Sequence, residues 1–461
     1  MELKKKNPPV RSGEAYDDIS ALFDESTFVE LGAYAGNDSY AAVVCGYGAI
    51  NGALTFAFVQ DYTRDKGALG SIEADKICSL YDMAKKSGAP VIGVWNSAGA
   101  RVGEGEKVLS SFGKLLSKIT EMSGVVPQIA VVKGICGGMA ATAVSMFDIV
   151  VASEGASLYV NPPFVLKNLG LKDAGSIKSA AENGLVDIVC PDGAAALLKA
   201  RELSAMLPQN NAQGLSYCDK GDDDNRLTPE LDGCTDTPKF IETIADGGQY
   251  TELKHDCAPE IITALASVGS MVTGIVATAH GKSLTPKAAR KAAGFISFCD
   301  NFSIPVLTLA DCEGIDISVD SENAAYAPEL SRLAAAYAVS TNTKITAIVG
   351  NAFGSAYTLL GSKAVGADVV LATENAVISV MKPDAAVQFI YSDEIKTPAD
   401  REEKTNEWML NHASAAAAAS TGDIDDVVPA EELRARIISA LGMLWSKASG
   451  NVSGKHSKLP F

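Results

Sequence analysis

PVIGVWNSAGAR (residues 90–101) followed by PQIAVVKGICGGMA (residues 127–140) is written a second time, as PVLTLADCEGI (residues 305–315) followed by TKITAIVGNAFGSA (residues 343–356). Pro90 aligns with Pro305, Gly99 with Gly314, Ile129 with Ile345 and Gly138 with Gly354. The echo extends outward: FDIVVASEGASLYV from Phe147 matches ADVVLATENAVISV from Ala367, and ISALFDESTFVEL from Ile19 matches IETIADGGQYTEL from Ile241. A period of about 216 residues is far too long for a solenoid unit, so each copy should be a whole domain. Two related domains offer two related sites.

The 461 residues hold two domains of ordinary size, and 47% apolar content with 41 glycines marks a globular chain. Lys and Arg number 39 against 56 Asp and Glu, a net charge of −17. That balance argues against a nucleic-acid footprint or an anionic membrane surface, and an anionic small molecule would have to be held by local backbone N–H groups or a few basic side chains. Nine cysteines without a CxxC spacing read as reduced, buried thiols of a cytoplasmic protein. Met1 is followed by ELKKKNPPVRSGE, which has no apolar core of a signal peptide. The longest uncharged run, residues 345–362, carries Gly350, Asn351, Gly354 and Ser355 in its middle, so it reads as a buried strand plus helix rather than a membrane span.

Apolar β-branched runs at 91–94, 129–132 and 149–151 alternate with helical stretches such as 72–86, and the alanine run 415–419 favours helix. Strands alternating with helices predict layered α/β domains whose sheets are covered on both faces. Residues 218–238, CDKGDDDNRLTPELDGCTDTP, are rich in Asp, Gly and Pro and read as a linker. The expected division is a first domain at 1–218, a linker at 219–238 and a second domain at 239–461.

Each half places a strand, a small-residue turn and a helix in succession: QIAVVKG, then ICGGMAATAVSMF, and KITAIVG, then NAFGSAYTLLGS. Small residues let a substrate approach the backbone, and the free N–H groups that open a helix carry partial positive charge. Such a turn can stabilise a developing oxyanion. A tight strand-to-helix turn is also a common packing device, and duplication preserves packing as readily as chemistry. Side chains narrow the choice. The four histidines, His255, His280, His412 and His456, have no neighbouring ligand at metal spacing, so no metal is expected. No GxSxG elbow, P-loop or HExxH occurs. His280, in ATAHGKS, reads as a polar loop histidine in preference to a catalytic one. Backbone electrostatics is the more economical source of chemistry.

At these residues the chain resembles the biotin-dependent acyl-CoA carboxyltransferases, which include propionyl-CoA carboxylase β subunits and the α subunits of methylmalonyl-CoA and glutaconyl-CoA decarboxylases. The resemblance runs from about Ile19 to Phe461 and includes GYGAINGALTFAFVQDYT from Gly46, GALGSIEADKI from Gly67, NSAGAR, PQIAVVKGICGGMA, AARKAAGFISFCDNFSIPVLTLAD from Ala288, GADVVLATENAVISVMKP from Gly366 and GDIDDVVPAEELRARIISALGML from Gly422. It implies two tandem crotonase-type (ClpP/crotonase) ββα superhelix domains. Acyl-CoA is then held mainly by the first half and biotin by the second, across a dimer interface.

Carboxyl transfer makes an enolate on the thioester and an enolate-like oxygen on biotin, and two anions need two oxyanion holes. By matched position the first hole is expected at Gly138 and Met139 with Gly137 beside them, the second at Ser355 and Ala356 with Gly354 beside them. Further substrate contacts are expected from Ala98, Gly99, Ala100 and Arg101 and from Tyr357 and Thr358. The resemblance also implies coenzyme A thioester as substrate, biotin on a separate biotin carboxyl carrier protein, and a homodimer or trimer of dimers. A biotin carboxylase or a membrane decarboxylase β subunit would complete the complex, the latter placing a cytoplasmic protein at the membrane periphery.

The chain departs from the family in places. Met139 and Ser355 stand where glycine is usual, and NSAGAR replaces DSGGAR. VMKP, residues 380–383, aligns with the family's VMGP inside the catalytic domain, so Lys382 is read as a surface or pocket lysine and not as a biotin attachment site. Two other readings stay open at this point: a CoA-thioester hydratase or hydrolase on the same fold, which would need a paired carboxylate or nucleophile near the turns, and a non-catalytic scaffold subunit.

Overall fold

A computed structural model of the chain describes residues 11–36, 40–170 and 173–447. The chain divides into two compact units, with the boundary between Gly214 and Leu215. In the first unit the strands are β1 (Val29–Leu31), β2 (Val43–Ile50), β3 (Ala53–Gln60), β4 (Val91–Ser97), β5 (Gln128–Gly137), β6 (Ile149–Ser153), β7 (Ser157–Tyr159) and β8 (Ile188–Cys190). In the second they are β9 (Tyr250–Leu253), β10 (Ile261–Val268), β11 (Met271–Thr278), β12 (Lys282–Leu284), β13 (Val306–Ile315), β14 (Lys344–Phe353), β15 (Val369–Thr373), β16 (Val377–Ser379) and β17 (Asp426–Val428).

The sheet orders are β1-β2-β3-β4-β5-β6-β8, with β7 on β5, and β9-β10-β11-β13-β14-β15-β17, with β16 on β14. The repeat read in the sequence is thus a repeat of topology, and β12, paired with β13, is the addition in the second unit. Each sheet opens with an antiparallel β-meander and continues as parallel strands, which require crossover helices.

The helix Ser71–Ser87 shows how sequence sets such a crossover. Glu73, at its third position, returns its carboxylate to the Gly70 N–H at 3.1 Å, and Gly88 closes the helix in the left-handed region at φ 62°. Ala74, Ile77, Leu80, Tyr81 and Ala84 recur at three- and four-residue spacing and form its buried face. Under it, Trp95 is fully buried and meets the Phe58 and Phe147 rings edge-on at 5.3 and 6.0 Å. The expected strands at 91–94, 129–132 and 149–151 lie within β4, β5 and β6, and the uncharged run at 345–362 is β14 from its second residue onward, followed by the short helix Ser355–Leu359. Among the described residues no helix is long and apolar enough to cross a membrane.

β4 and β13 carry the same irregularity. Trp95 pairs with Val132 but Ser97 with Cys136, and Ala310 pairs with Ile348 but Cys312 with Ala352, so two extra residues of β5 and of β14 are accommodated at one point. Asn96 fills the first break: its Oδ1 accepts the Ile135 N–H at 3.2 Å. Asp311 fills the second, its Oδ1 accepting the Asn351 N–H at 2.9 Å. Gly134 and Gly350 leave room for them, since a Cβ at either would lie 2.3 Å from the same oxygen.

Residues 219–238, expected as a linker, are hydrogen-bonded within the second unit. The Arg226 guanidinium donates to the Thr243 carbonyl at 2.7 Å, and the Thr228 N–H donates to that of Glu431 at 2.8 Å. Next to them Arg434, fully buried in the helix Leu433–Met443, donates to Asp246 Oδ1 at 2.6 Å, to the Asp223 carbonyl at 2.7 Å, to Asp222 Oδ2 at 3.3 Å and to the Ile244 carbonyl at 3.1 Å. Asp246 in turn accepts the N–H groups of Gly269 and Ser270 and the Ser267 hydroxyl. Removing the guanidinium leaves the Asp246 carboxylate buried without its cation. Arg434→Met should therefore destabilise the second unit by about 3–5 kcal/mol, seen as an early transition in a denaturant titration that leaves a later one in place; a single unshifted transition would contradict the assignment.

Candidate active site

In both units the strand that follows the break runs into a glycine turn and then a short helix. β5 ends at Gly137, Gly138 takes φ 64° and ψ −130°, and the helix Met139–Val144 begins. β14 ends at Phe353, Gly354 takes φ 60° and ψ −143°, and the helix Ser355–Leu359 begins. An L side chain at either angle pair is strained, which accounts for glycine at both places.

The hydrogen bonds of the two turns also match. Gly138 donates its N–H to the Tyr159 carbonyl at 2.8 Å, and Gly354 donates to that of Ser379 at 2.9 Å. Ala141 and Tyr357 then close the first helical turn onto Gly138 and Gly354. The main-chain N–H groups left without a recorded partner are those of Met139 and Ala140 in the first unit and of Ser355 and Ala356 in the second, two neighbouring donors in each turn. Gly138, expected in the first pair, has its N–H bonded to Tyr159, and the neighbouring donors left open in that turn are those of Met139 and Ala140, a residue the sequence reading did not single out. The repeat held the signal, because the alignment of Gly138 with Gly354 pairs Met139 with Ser355 and Ala140 with Ala356.

The other expected residues fall around these turns in different ways. Gly137 is buried against Tyr159, whose ring would lie 2.8 Å from a Cβ there. Gly99, at φ 107°, comes against the Gly137 carbonyl, 3.3 Å from an ideal Cβ, just as Gly314 comes against that of Phe353 at 3.7 Å. Ala98 and Ala100 are exposed on the same loop, which is pinned by Ala98 N–H to the Lys66 carbonyl and Arg101 N–H to that of Leu69. Arg101 is not a free anion-binding group. Its guanidinium makes two 2.9 Å bonds to the nearly buried Glu73 carboxylate, with Asp65 at 2.8 Å and Glu104 at 3.3 Å. It braces the loop. Tyr357 is half-buried against the apolar cluster around Ile348 and Ile378, and burial raises its phenol. Thr358 is exposed one residue further on.

Beside the first turn lies a cavity of about 380 Å³, walled by Ala141 and Thr142 of the short helix, by Ser145 just after it, by Leu158 and Tyr159 of β7 and by residues of the 175–185 segment. Beside the second turn lies a polar group instead. Lys382, at the start of the helix Pro383–Ile390, reaches Glu313 at 2.6 Å, and the Asn351 side chain donates to the other oxygen of Glu313 at 2.6 Å. Burial alone would raise the Glu313 carboxyl, but these two bonds outweigh it and hold it below its ordinary value. His280 stands next to Asp311, Nδ1 to Oδ2 at 2.5 Å.

Known proteins match this architecture along almost its whole length. The carboxyl transferase domain profile matches residues 14–459. The methylmalonyl-CoA decarboxylase subunit alpha of Propionigenium modestum is 34% identical over 97% of this chain and 93% of its own length. The putative propionyl-CoA carboxylase beta chain of Bacillus subtilis is 35% identical over 97% and 93%. The crystal structure of transcarboxylase 12S with hydrolysed methylmalonyl-coenzyme A superposes with a TM-score of 0.92 at 30% identity, covering 96% of this chain and 91% of that one. The crotonase-like pair of units expected from the sequence is the fold observed, and the chain belongs to the carboxyl transferase domain family as an acyl-CoA carboxyltransferase.

Proposed function

We propose that this chain is the carboxyltransferase subunit that moves a carboxyl group between a malonyl-type acyl-CoA, of the methylmalonyl-CoA and propionyl-CoA kind, and biotin on a separate carrier protein. The observation that carries this reading is the pair of neighbouring unpaired N–H donors in each unit, Met139 with Ala140 and Ser355 with Ala356. Taking the carboxyl group from the acyl-CoA leaves an enolate, whose charge sits on the thioester oxygen. Two fixed N–H dipoles stabilise such an oxygen without reorganising as the charge appears. The carried biotin supplies a ureido nitrogen as the carboxyl acceptor, and its carbonyl oxygen becomes the second centre of charge.

The cavity beside the first turn favours acyl-CoA there and leaves the second turn to biotin. Methylmalonyl-CoA names among the relatives, and methylmalonyl-coenzyme A bound to transcarboxylase 12S, support the substrate class. That structure is described as a hexamer, which supports a trimer of dimers here. In this reading the cytoplasmic partners are a biotin carboxyl carrier protein and either a biotin carboxylase or a membrane decarboxylase β subunit, because relatives of both kinds are equally similar.

Met139 and Ser355 are the first residues of their helices, the place where proline is best tolerated, so Met139→Pro and Ser355→Pro each delete one donor with little cost to the helix. Each should lower the transfer rate by roughly 10² to 10³, about 2.7–4 kcal/mol of transition-state stabilisation, in protein whose circular dichroism is unchanged. Full turnover in either folded variant would refute a two-donor site in that unit. The division of labour has a separate check: Thr142→Trp, which fills the cavity, should weaken methylmalonyl-CoA binding in calorimetry, whereas Ser355→Trp should leave it intact. Equal losses in both would show that the units are assigned wrongly.

A further inference from the structure

Asn96 and Asp311 occupy the same place in the two units, but they differ in charge and in company. Asp311 is locked from three sides. Its Oδ1 accepts the Asn351 N–H at 2.9 Å, its own N–H goes to the Thr278 hydroxyl at 2.6 Å, and its Oδ2 stands 2.5 Å from His280 Nδ1. A carboxylate only accepts, so Nδ1 is the donor of this bond and Nε2 is the ring nitrogen left free of it. The His280 side chain is 46% exposed against 10% for Asp311: a buried carboxylate aims an open imidazole. The loop under it is fixed as well, with the His280 N–H on the Thr237 hydroxyl at 3.1 Å. A carboxylate holding one ring nitrogen so that the other can move a proton is the arrangement general acid–base catalysis requires.

Asn351, which Asp311 holds, is four residues before Ser355 on the strand that delivers the second turn. The charged groups around the imidazole are Asp311 and Glu313 on β13, Lys382 at the start of the helix Pro383–Ile390, and Lys282 two residues along the chain on β12. Lys382 is paired with Glu313, and Asp311 has His280 as its own partner.

We infer that His280, oriented by Asp311, is the proton-accepting group of the second unit, and that Nε2 takes the N–H proton of a cyclic urea whose oxygen is held by the Ser355 and Ala356 N–H groups. The inference rests on the function proposed above. A bond forms from Nε2 to the proton as the urea N–H bond breaks, and the electron pair of that bond stays on the urea. The urea nitrogen then bonds to the carboxyl carbon while the bond from that carbon to the thioester α-carbon breaks, leaving its electrons as the enolate. Uptake of the proton from the imidazolium by the enolate carbon closes the cycle and restores neutral His280.

The test is transfer of labelled carboxyl from methylmalonyl-CoA to biocytin by the full chain. His280→Gln should lose about 10² to 10⁴ in kcat and keep the KM for methylmalonyl-CoA. A second readout needs no turnover: carbethoxylation by diethyl pyrocarbonate, followed peptide by peptide, should be slowed by biocytin at His280 and not at His255. Transfer at the same rate by wild type and H280Q overturns the role of His280 alone. If H280Q does not fold, the protection experiment on wild type decides, and unprotected His280 overturns the inference. Absence of any transfer by wild type overturns the proposed function and this inference with it.

Discussion

One side-chain oxygen in each unit, that of Asn96 or Asp311, sets the geometry of the whole site. Two parallel strands of unequal length can stay paired only if the longer one bulges, and the N–H exposed at the bulge has to be satisfied inside a dry sheet. Asn96 and Asp311 accept that N–H, and the glycines at 134 and 350 make the room. Beyond the bulge, β5 and β14 pair with β7 and β16, and those short strands supply the carbonyls of Tyr159 and Ser379 that anchor the turn glycines. Without the bulge the strand would continue along the sheet, and the two donors that open each helix would not be presented by a fixed turn.

The parts of this arrangement that are local in the chain were legible from the sequence. Hydrophobic runs gave β4, β5 and β6 their places, and glycine at 138 and 354 announced turns that few other residues can make. Pairing across the sheet was not legible. Nothing in residues 127–140 says that the Gly138 N–H belongs to Tyr159, 21 positions later, so the open donor on Ala140 could not be told from that on Gly138. Arg101 was expected only as a substrate contact, because its three carboxylate partners, Asp65, Glu73 and Glu104, are assembled only by the fold. Residues 219–238 looked like a linker by composition, yet the Asp222 carboxylate and the Asp223 carbonyl accept from a buried arginine, Arg434, in a helix about 200 residues away.

Duplication of the scaffold has not meant duplication of its electrostatics. The first unit keeps a neutral amide at the bulge and, beside the turn, a cavity whose wall carries no charged side chain. The second has a carboxylate at the bulge, a histidine upon it and a lysine–glutamate pair across β14, joined to it through Asn351. Charge is thus gathered at the second turn and absent from the wall of the cavity beside the first. The same backbone therefore frames two chemically distinct surroundings.

The unpaired donors at both turns belong to the main chain, and their side chains, Met139, Ala140, Ser355 and Ala356, share no chemistry with one another. An alanine scan would convert two of these residues into near neighbours of themselves and leave two untouched, and every N–H would survive it. Drift at these positions can accordingly reshape the walls around each turn while its donors persist, and the side chains of Met139 and Ser355 alter those walls without removing a single main-chain N–H. Comparing side chains between relatives is then a poor guide to whether the centre still works; the angles of Gly138 and Gly354 are a better one.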